Sequence, residues 1–168
     1  KLPMLELQSI DKASVKARLL RDLTARLERM IASANETRLG AIHEESRPEN
    51  DKDTRGLEAS YLARGQAFRV AELTDEKLRL EALRLREFGP DDPIALSALV
   101  EIEREDGLRR VVFLSPSGGG IVLEGEPEIQ VLTSETPLGR ALLGKRAGDD
   151  FTLRIQGRVQ EYEIVAVS

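Results

Sequence analysis

The sequence predicts an α+β fold: an antiparallel coiled-coil hairpin of two long helices, followed by a small antiparallel sheet domain carrying one short helix. Three observations carry this reading. Apolar residues recur in steps of three and four up to about residue 87, a Pro- and Gly-containing break falls at residues 88–95, and beyond it the apolar residues alternate in twos. The division that follows is a hairpin at 1–88 with its tip near 44–56, a linker at 89–93 and a sheet domain at 94–168.

The first helix is expected from Ile10 to about Glu45, opened by a cap at Asp11. Leu20, Leu23, Leu27, Met30, Ala34 and Ala41 form one apolar seam at coiled-coil spacing, with Arg18, Arg21, Asp22, Glu28 and Arg29 facing water. One helix with one stripe needs a partner. After the polar break SRPENDKDTRG at 46–56, a second helix is expected from Leu57 to about Glu87, with Ala59, Ala63, Val70, Leu73, Leu80 and Leu83 as its stripe. A short polar connection makes the pair antiparallel.

The break FGPDDPIA at 88–95 ends the helical part. ALSALVEIE, RRVVFLS, GGIVLEG and EIQVLT then read as strands. The closing segment reads as a hairpin turning at Gln156–Gly157. Between them, Thr136 is placed to cap a short helix, Pro137 suits its first position and Gly144 its end. Leu138, Ala141 and Leu142 give that helix an apolar edge to lay on the sheet.

The composition excludes several chemistries. The chain has 168 residues, one His, no Cys and no Trp. Disulfides, thiolate metal sites, cysteine nucleophiles and Ser–His–Asp assemblies are therefore unsupported. Residues 1–90 carry 17 basic and 16 acidic side chains, and residues 91–168 carry 8 and 14. Neither half is a basic patch, so no independent DNA binding is expected. No apolar run is long enough to span a bilayer, and the start KLPMLELQSI lacks a signal-peptide stretch, so no membrane association and a cytoplasmic location are expected.

Gly118, Gly119 and Gly120 are followed by strand residues instead of a Lys-Ser/Thr pair and read as a bend, not a phosphate cradle. His43 stands beside Glu44 and Glu45 without a second His and reads as a surface residue. The hairpin tip, in contrast, gathers Glu44, Glu45, Glu49, Asp51 and Asp53 against Arg47 and Lys52. Carboxylates on an exposed arm lack the walls and low dielectric of a site, so any chemistry there needs a partner to complete it. They suit a shared Mg²⁺, which prefers hard oxygen ligands.

The segment SETPLGRALLGKRAGDDFTLRIQGRVQEYEIVAV resembles the C-terminal part of the bacterial Gre transcript cleavage factor family, in which a similar SP, ARAL, GK and GD series precedes a hairpin ending in EYEIV. The residues in register include Ser134, Pro137, Arg140, Ala141, Leu142, Gly144, Lys145, Gly148, Asp149 and the run Glu161–Val165. The resemblance implies an FKBP-like sheet domain that docks on bacterial RNA polymerase, with Ser134, Pro137, Arg140 and Lys145 as partner-binding candidates. It also implies a coiled coil that enters the secondary channel and meets RNA only inside the polymerase. Tip carboxylates there help hold the second catalytic Mg²⁺ and stimulate cleavage of backtracked RNA. No cofactor is expected on the chain alone, and a monomeric accessory factor is expected in place of a free-standing enzyme.

The tip departs from the family pattern. Family cleavage factors carry a motif like Asp-Leu-Lys-Glu-Asn-Ala-Glu-Tyr with working carboxylates three residues apart, whereas this chain has DTRGLEASY at 53–61. Alignment on Tyr61 puts Thr54 and Leu57 at the acidic positions. A one-residue insertion brings Asp53 into place, and a further shift is needed for Glu58. The candidate tip carboxylates are thus Asp53, Glu58, Asp51 and Glu49, with Asp51 and Asp53 as candidate Mg²⁺ ligands. Relatives with altered tips occupy the same channel as inhibitors or modulators, so a non-cleaving role stands beside cleavage. Two other classes stay open: a prolyl isomerase, for which Phe113, Phe151 and Tyr162 are the sheet domain's aromatics, and a coiled-coil dimer through Leu23, Leu27, Leu73 and Leu80.

Overall fold

The structure is a computed structural model describing residues 7–45 and 53–168, with the side chains at 44, 45, 53–56 and 59 left aside. A 3-10 turn at Leu7–Ser9 precedes α1 (Lys12–Glu45) and α2 (Asp53–Glu81). Then come β1 (Leu99–Arg104), β2 (Arg109–Leu114), β3 (Val122–Leu123), β4 (Ile129–Leu132), α3 (Pro137–Leu142), β5 (Asp150–Ile155) and β6 (Arg158–Val167). The chain forms two compact units. One is Arg21–Leu78; the other joins the residues up to Leu20 with Arg79–Ser168. The division falls inside both long helices, where the sequence pattern placed it at 89–93.

In the helical unit, Leu23, Leu27, Met30, Ala34, Thr37 and Ala41 of α1 are buried or half-buried at steps of four and three, as are Ala63, Gln66, Val70 and Leu73 of α2. The Gln66 amide nitrogen donates to Ser33 Oγ at 3.2 Å. Arg26, Met30 and Ser33 share a shallow groove with Arg69 and Leu73. Higher numbers on one helix meet lower ones on the other, so the pair is antiparallel.

In the second unit, Asp11 caps α1 as expected, its carboxylate accepting from Ala13 N at 3.1 Å. The α2 boundaries differ from the expected Leu57–Glu87: the helix begins at Asp53 and ends at Glu81. Lysines of α1 account for the early end. Lys16 Nζ donates to the carbonyls of Glu81 and Leu83, at 2.9 and 2.8 Å, and Lys12 Nζ donates to that of Arg86. The Glu81 carbonyl, one of the orphans at the α2 terminus, is thus satisfied across the chain, with a cation at the negative end of the helix dipole.

The sheet runs β3-β4-β2-β1-β6-β5. It is mixed instead of wholly antiparallel, because β2 and β4 pair in parallel from Val111↔Ile129 to Leu114↔Leu132. Parallel neighbours cannot be joined by a tight hairpin. Residues 115–128 make the crossover, which contains the Gly118–Gly120 bend and adds β3 antiparallel to the outer side of β4. The other expected hairpin is present: Gln156 and Gly157 both have positive φ, 50° and 79°, and join β5 to β6 in a two-residue turn.

One face of the sheet buries Val100, Ile102, Val112, Leu114, Leu132 and Ile164 with Leu142 of α3. The opposite face carries Leu99, Val111, Phe113, Ile129 and Val131, also buried. The 3-10 turn lies against β1, and Leu19 of α1 packs on Gly118, where an added Cβ would come within 3.1 Å of it. Both faces are covered, so β1, β2 and β4 bury apolar residues on both sides of the sheet instead of alternating strictly between apolar and polar.

A close approach fixes α3. Thr136 Oγ1 accepts from Gly139 N at 3.1 Å and donates to Thr133 O at 2.9 Å, and a Cβ at Gly139 would lie 2.0 Å from Thr133 O. Gly139→Ala is expected to lower the unfolding free energy by about 3 kcal/mol, the upper end of ordinary overpacking. Thr136→Ala, which removes only the cap, is expected to cost about 1 kcal/mol. Urea denaturation of both variants checks the order; equal losses would show that the backbone gives way at Gly139.

Candidate functional site

The candidate residues fall in two places. Glu49 and Asp51 lie outside the described residues, and position 53 is the first of α2. Glu58 is exposed one and a half turns later. Positions 53 and 58, five apart in one helix, are separated by about 140° around its axis, so they do not share a face. Among the described residues, no three His, Cys, Asp or Glu side chains converge as a metal site.

The second place is the start of α3. Ser134, Pro137 and Arg140 are exposed there and Lys145 is half-buried. Arg140 folds back so that its Nη1 donates to Glu135 O at 2.5 Å. Other residues of the same motif are structural. Leu142 is fully buried; Gly144, at φ 82°, donates to Ile94 O at 2.8 Å; and Gly148, at φ 85°, donates to Ile164 O at 2.7 Å. Asp149 accepts from Arg146 N at 2.8 Å, closing the turn into β5.

Three charged features escaped the sequence reading. Glu101 of β1 is wholly buried, with Arg109 Nη1 3.4 Å from one oxygen and, among the described residues, no hydrogen-bond partner on the other. The Arg109 fork lies closer to Glu103, at 2.6 Å, and this hydrogen bond raises the guanidinium's already high pKa. Lys12, almost wholly buried, sits 4.9 Å over the Phe88 ring, whose centroid Arg86 also approaches at 4.9 Å; burial pulls the Lys12 pKa down. At the β1–β2 turn, Arg104 holds the Asp106 carboxyl down to about 2, helped by the Leu108 N–H. Alternation along strands marks faces, but gives no sign of which charges pair across them.

A groove of about 730 Å³ is lined by Glu103, Arg104, Glu105, Asp150, Glu161 and Glu163 over the stacked rings of Phe151 and Tyr162, 5.2 Å apart. Phe113 is fully buried. A carboxylate rim is a poor receptacle for a proline ring, which is apolar and has no donor to offer.

Comparison with known proteins decides the family. A transcription elongation factor GreA from Solidesulfovibrio magneticus is 30% identical over 149 residues, covering 85% of this chain and 87% of its own length. The chain belongs to the GreA/GreB transcription elongation factor family. The family signature described as "Transcription elongation factor, GreA/GreB, C-term" matches residues 89–168. A GreA from Methylococcus capsulatus is 30% identical over 101 residues, 59% of this chain and 60% of its own. Among solved structures, Gfh1 of Thermus aquaticus is 27% identical over 90% of this chain and 94% of its own, with a TM-score of 0.39.

In this Gre-family chain the α3 motif thus contains two kinds of residue, and mutation should separate them. Leu142→Ala is expected to cost about 2–5 kcal/mol of stability, as for a filled core position. Ser134→Ala and Arg140→Ala are expected to stay within about 0.5 kcal/mol of wild type in the same urea titration, as surface changes do. A second expectation concerns acid. A carboxyl held below its ordinary value contributes stability that is present above the unfolded pKa of 3.8 and is lost as pH falls toward about 2. The stability gap between wild type and Asp106→Asn should therefore shrink over that window, as read by denaturant midpoints at each pH; a constant gap would assign the effect to the Leu108 turn alone.

Proposed function

We propose that this elongation factor acts on bacterial RNA polymerase by entering the secondary channel with α1 and α2, and that its tip modulates the polymerase active site. The observation that supports it is the extent of the GreA similarity: 149 aligned residues exceed the sheet unit and take in the paired helices as well. The exposed Ser134, Pro137 and Arg140 at the start of α3 then serve as docking contacts on the polymerase surface.

The tip favours modulation over assisted cleavage. The family's working carboxylates are three residues apart, a spacing that shares one helix face, whereas positions 53 and 58 do not. A second reading keeps cleavage stimulation, on the strength of Glu49, Asp51 and Asp53 in one short stretch of sequence. In that reading the polymerase holds the Mg²⁺ and the tip adds oxygen ligands, the chemistry of the ion being charge stabilisation and activation of water.

The test follows RNA length over time in backtracked complexes of the polymerase from the same source. Wild type is compared with Asp53→Ala and the triple variant Glu49→Ala/Asp51→Ala/Asp53→Ala, with docking measured in parallel. Docking without acceleration is the expected result. Acceleration lost in a docked tip variant would establish the cleavage reading instead, and absence of docking would overturn both.

A further inference from the structure

The helical unit has an inverted feature that channel entry does not account for. Leu23, Leu27, Met30, Val70 and Leu73 fill its seam near the open end, but toward the tip the seam is lined by small or polar side chains, Ala34, Thr37, Ala41, Ala63 and Gln66, and large apolar side chains of the same stretch of α2 point away from it. Leu57, Tyr61 and Phe68 are 58%, 67% and 67% exposed. Together with exposed Arg64 and Ala71 they run in steps of four, three, four and three along α2. That is the spacing of a coiled-coil seam, on the side of the helix opposite the seam shared with α1.

We propose that this outer stripe of α2 pairs with the same stripe of a second copy of the chain, antiparallel about a two-fold axis passing between Tyr61 and Arg64. The charges select this arrangement. In a parallel pair Arg64 would face Arg64, a like-charge contact in an apolar seam. In the antiparallel pair each Arg64 lies over the Tyr61 ring of the other copy and beside its Glu58, and Leu57 meets Phe68 at both ends. Every contact then occurs twice, and each cation has an aromatic face and a carboxylate. The flanks permit close approach: Ser60, Gly65 and Ala67 are exposed and small, and a Cβ at Gly65 would meet nothing within 4 Å.

From Leu57 to Ala71 the stripe is about 21 Å long at the helical rise. So short a contact lies below the roughly 1,200 Å² of a standard interface, and the dimer should form in the micromolar-to-millimolar range. The proposal concerns the free protein and does not depend on the action on polymerase.

Sedimentation equilibrium of the full chain over a roughly thousandfold concentration range should show the mass rising from 18.6 kDa toward twice that value. Phe68→Asp should stay monomeric with unchanged circular dichroism, because the side chain it replaces is exposed. The register is tested by cross-linking, for which the chain is suited because it has no cysteine. A mixture of Leu57→Cys and Phe68→Cys proteins should form disulfide-linked dimers about tenfold faster than either protein alone. A monomer at every concentration, a dimer that survives Phe68→Asp, or equal cross-linking of Leu57→Cys with itself would each overturn the proposal. A monomeric wild type whose polymerase docking is weakened by Phe68→Asp would assign the stripe to the polymerase and overturn it as well.

Discussion

The structure depends on the sheet unit's hold on the two helix ends. A two-helix hairpin whose seam toward the tip is made of alanine, threonine and glutamine buries little apolar area there, and helices gain most of their stability from packing. The free energy is supplied elsewhere. Val15, Leu19 and Leu80, near the open end of the hairpin, are nearly or wholly buried in the unit that contains the sheet. Lys12 and Lys16 there fix the last residue of α2 and the chain just beyond it through three carbonyls. Because α1 and α2 run uninterrupted from that unit into the other, the distal residues need not pack strongly for themselves. That freedom is what lets large side chains occupy the outside.

Much of this was legible in the sequence, and the boundary of legibility is physical. The seam of α1, the Asp11 cap, the Thr136 cap with Pro137 behind it, and the Gln156–Gly157 turn are local signals, set by residues within one or two turns of each other. The misread features are long-range. The true end of α2 is fixed by lysines some seventy positions away in the chain. The parallel pairing of β2 with β4 depends on how residues 115–128 travel, and a strand's own alternation carries no direction. Gly139 did leave a signal, a glycine in the middle of a helix with good formers on both sides, but its meaning lies in the Thr133 carbonyl it admits. At the tip the sequence offered four carboxylates without the geometry to choose among them. The helix now separates two of the four positions, and Glu49 and Asp51 fall outside the described residues.

Charge is arranged differently in the two units. In the sheet unit carboxylates outnumber cations along the groove over Phe151 and Tyr162, and the arginines nearest to it, Arg104 and Arg109, are already engaged by Asp106, Glu103 and Glu101. Residues 91–168 as a whole carry 14 acidic against 8 basic side chains. Such a surface repels nucleic acid and admits basic protein partners.

The two faces of α2 make different demands on the same residues. Toward the tip the inner face carries small or polar side chains, Ala63 and Gln66, and nearer the open end Val70 and Leu73. The outer face carries Leu57, Tyr61 and Phe68, whose burial is worth roughly 25 cal/mol per Å² wherever it is achieved. Interchanging the two sets would stabilise the hairpin and thicken it. Their actual placement fits the proposed entry into a channel and the proposed pairing stripe together. A stripe used for pairing between copies is unavailable to any other partner, so self-association and entry into a channel would compete for one helix face, with the concentration of free factor setting the balance.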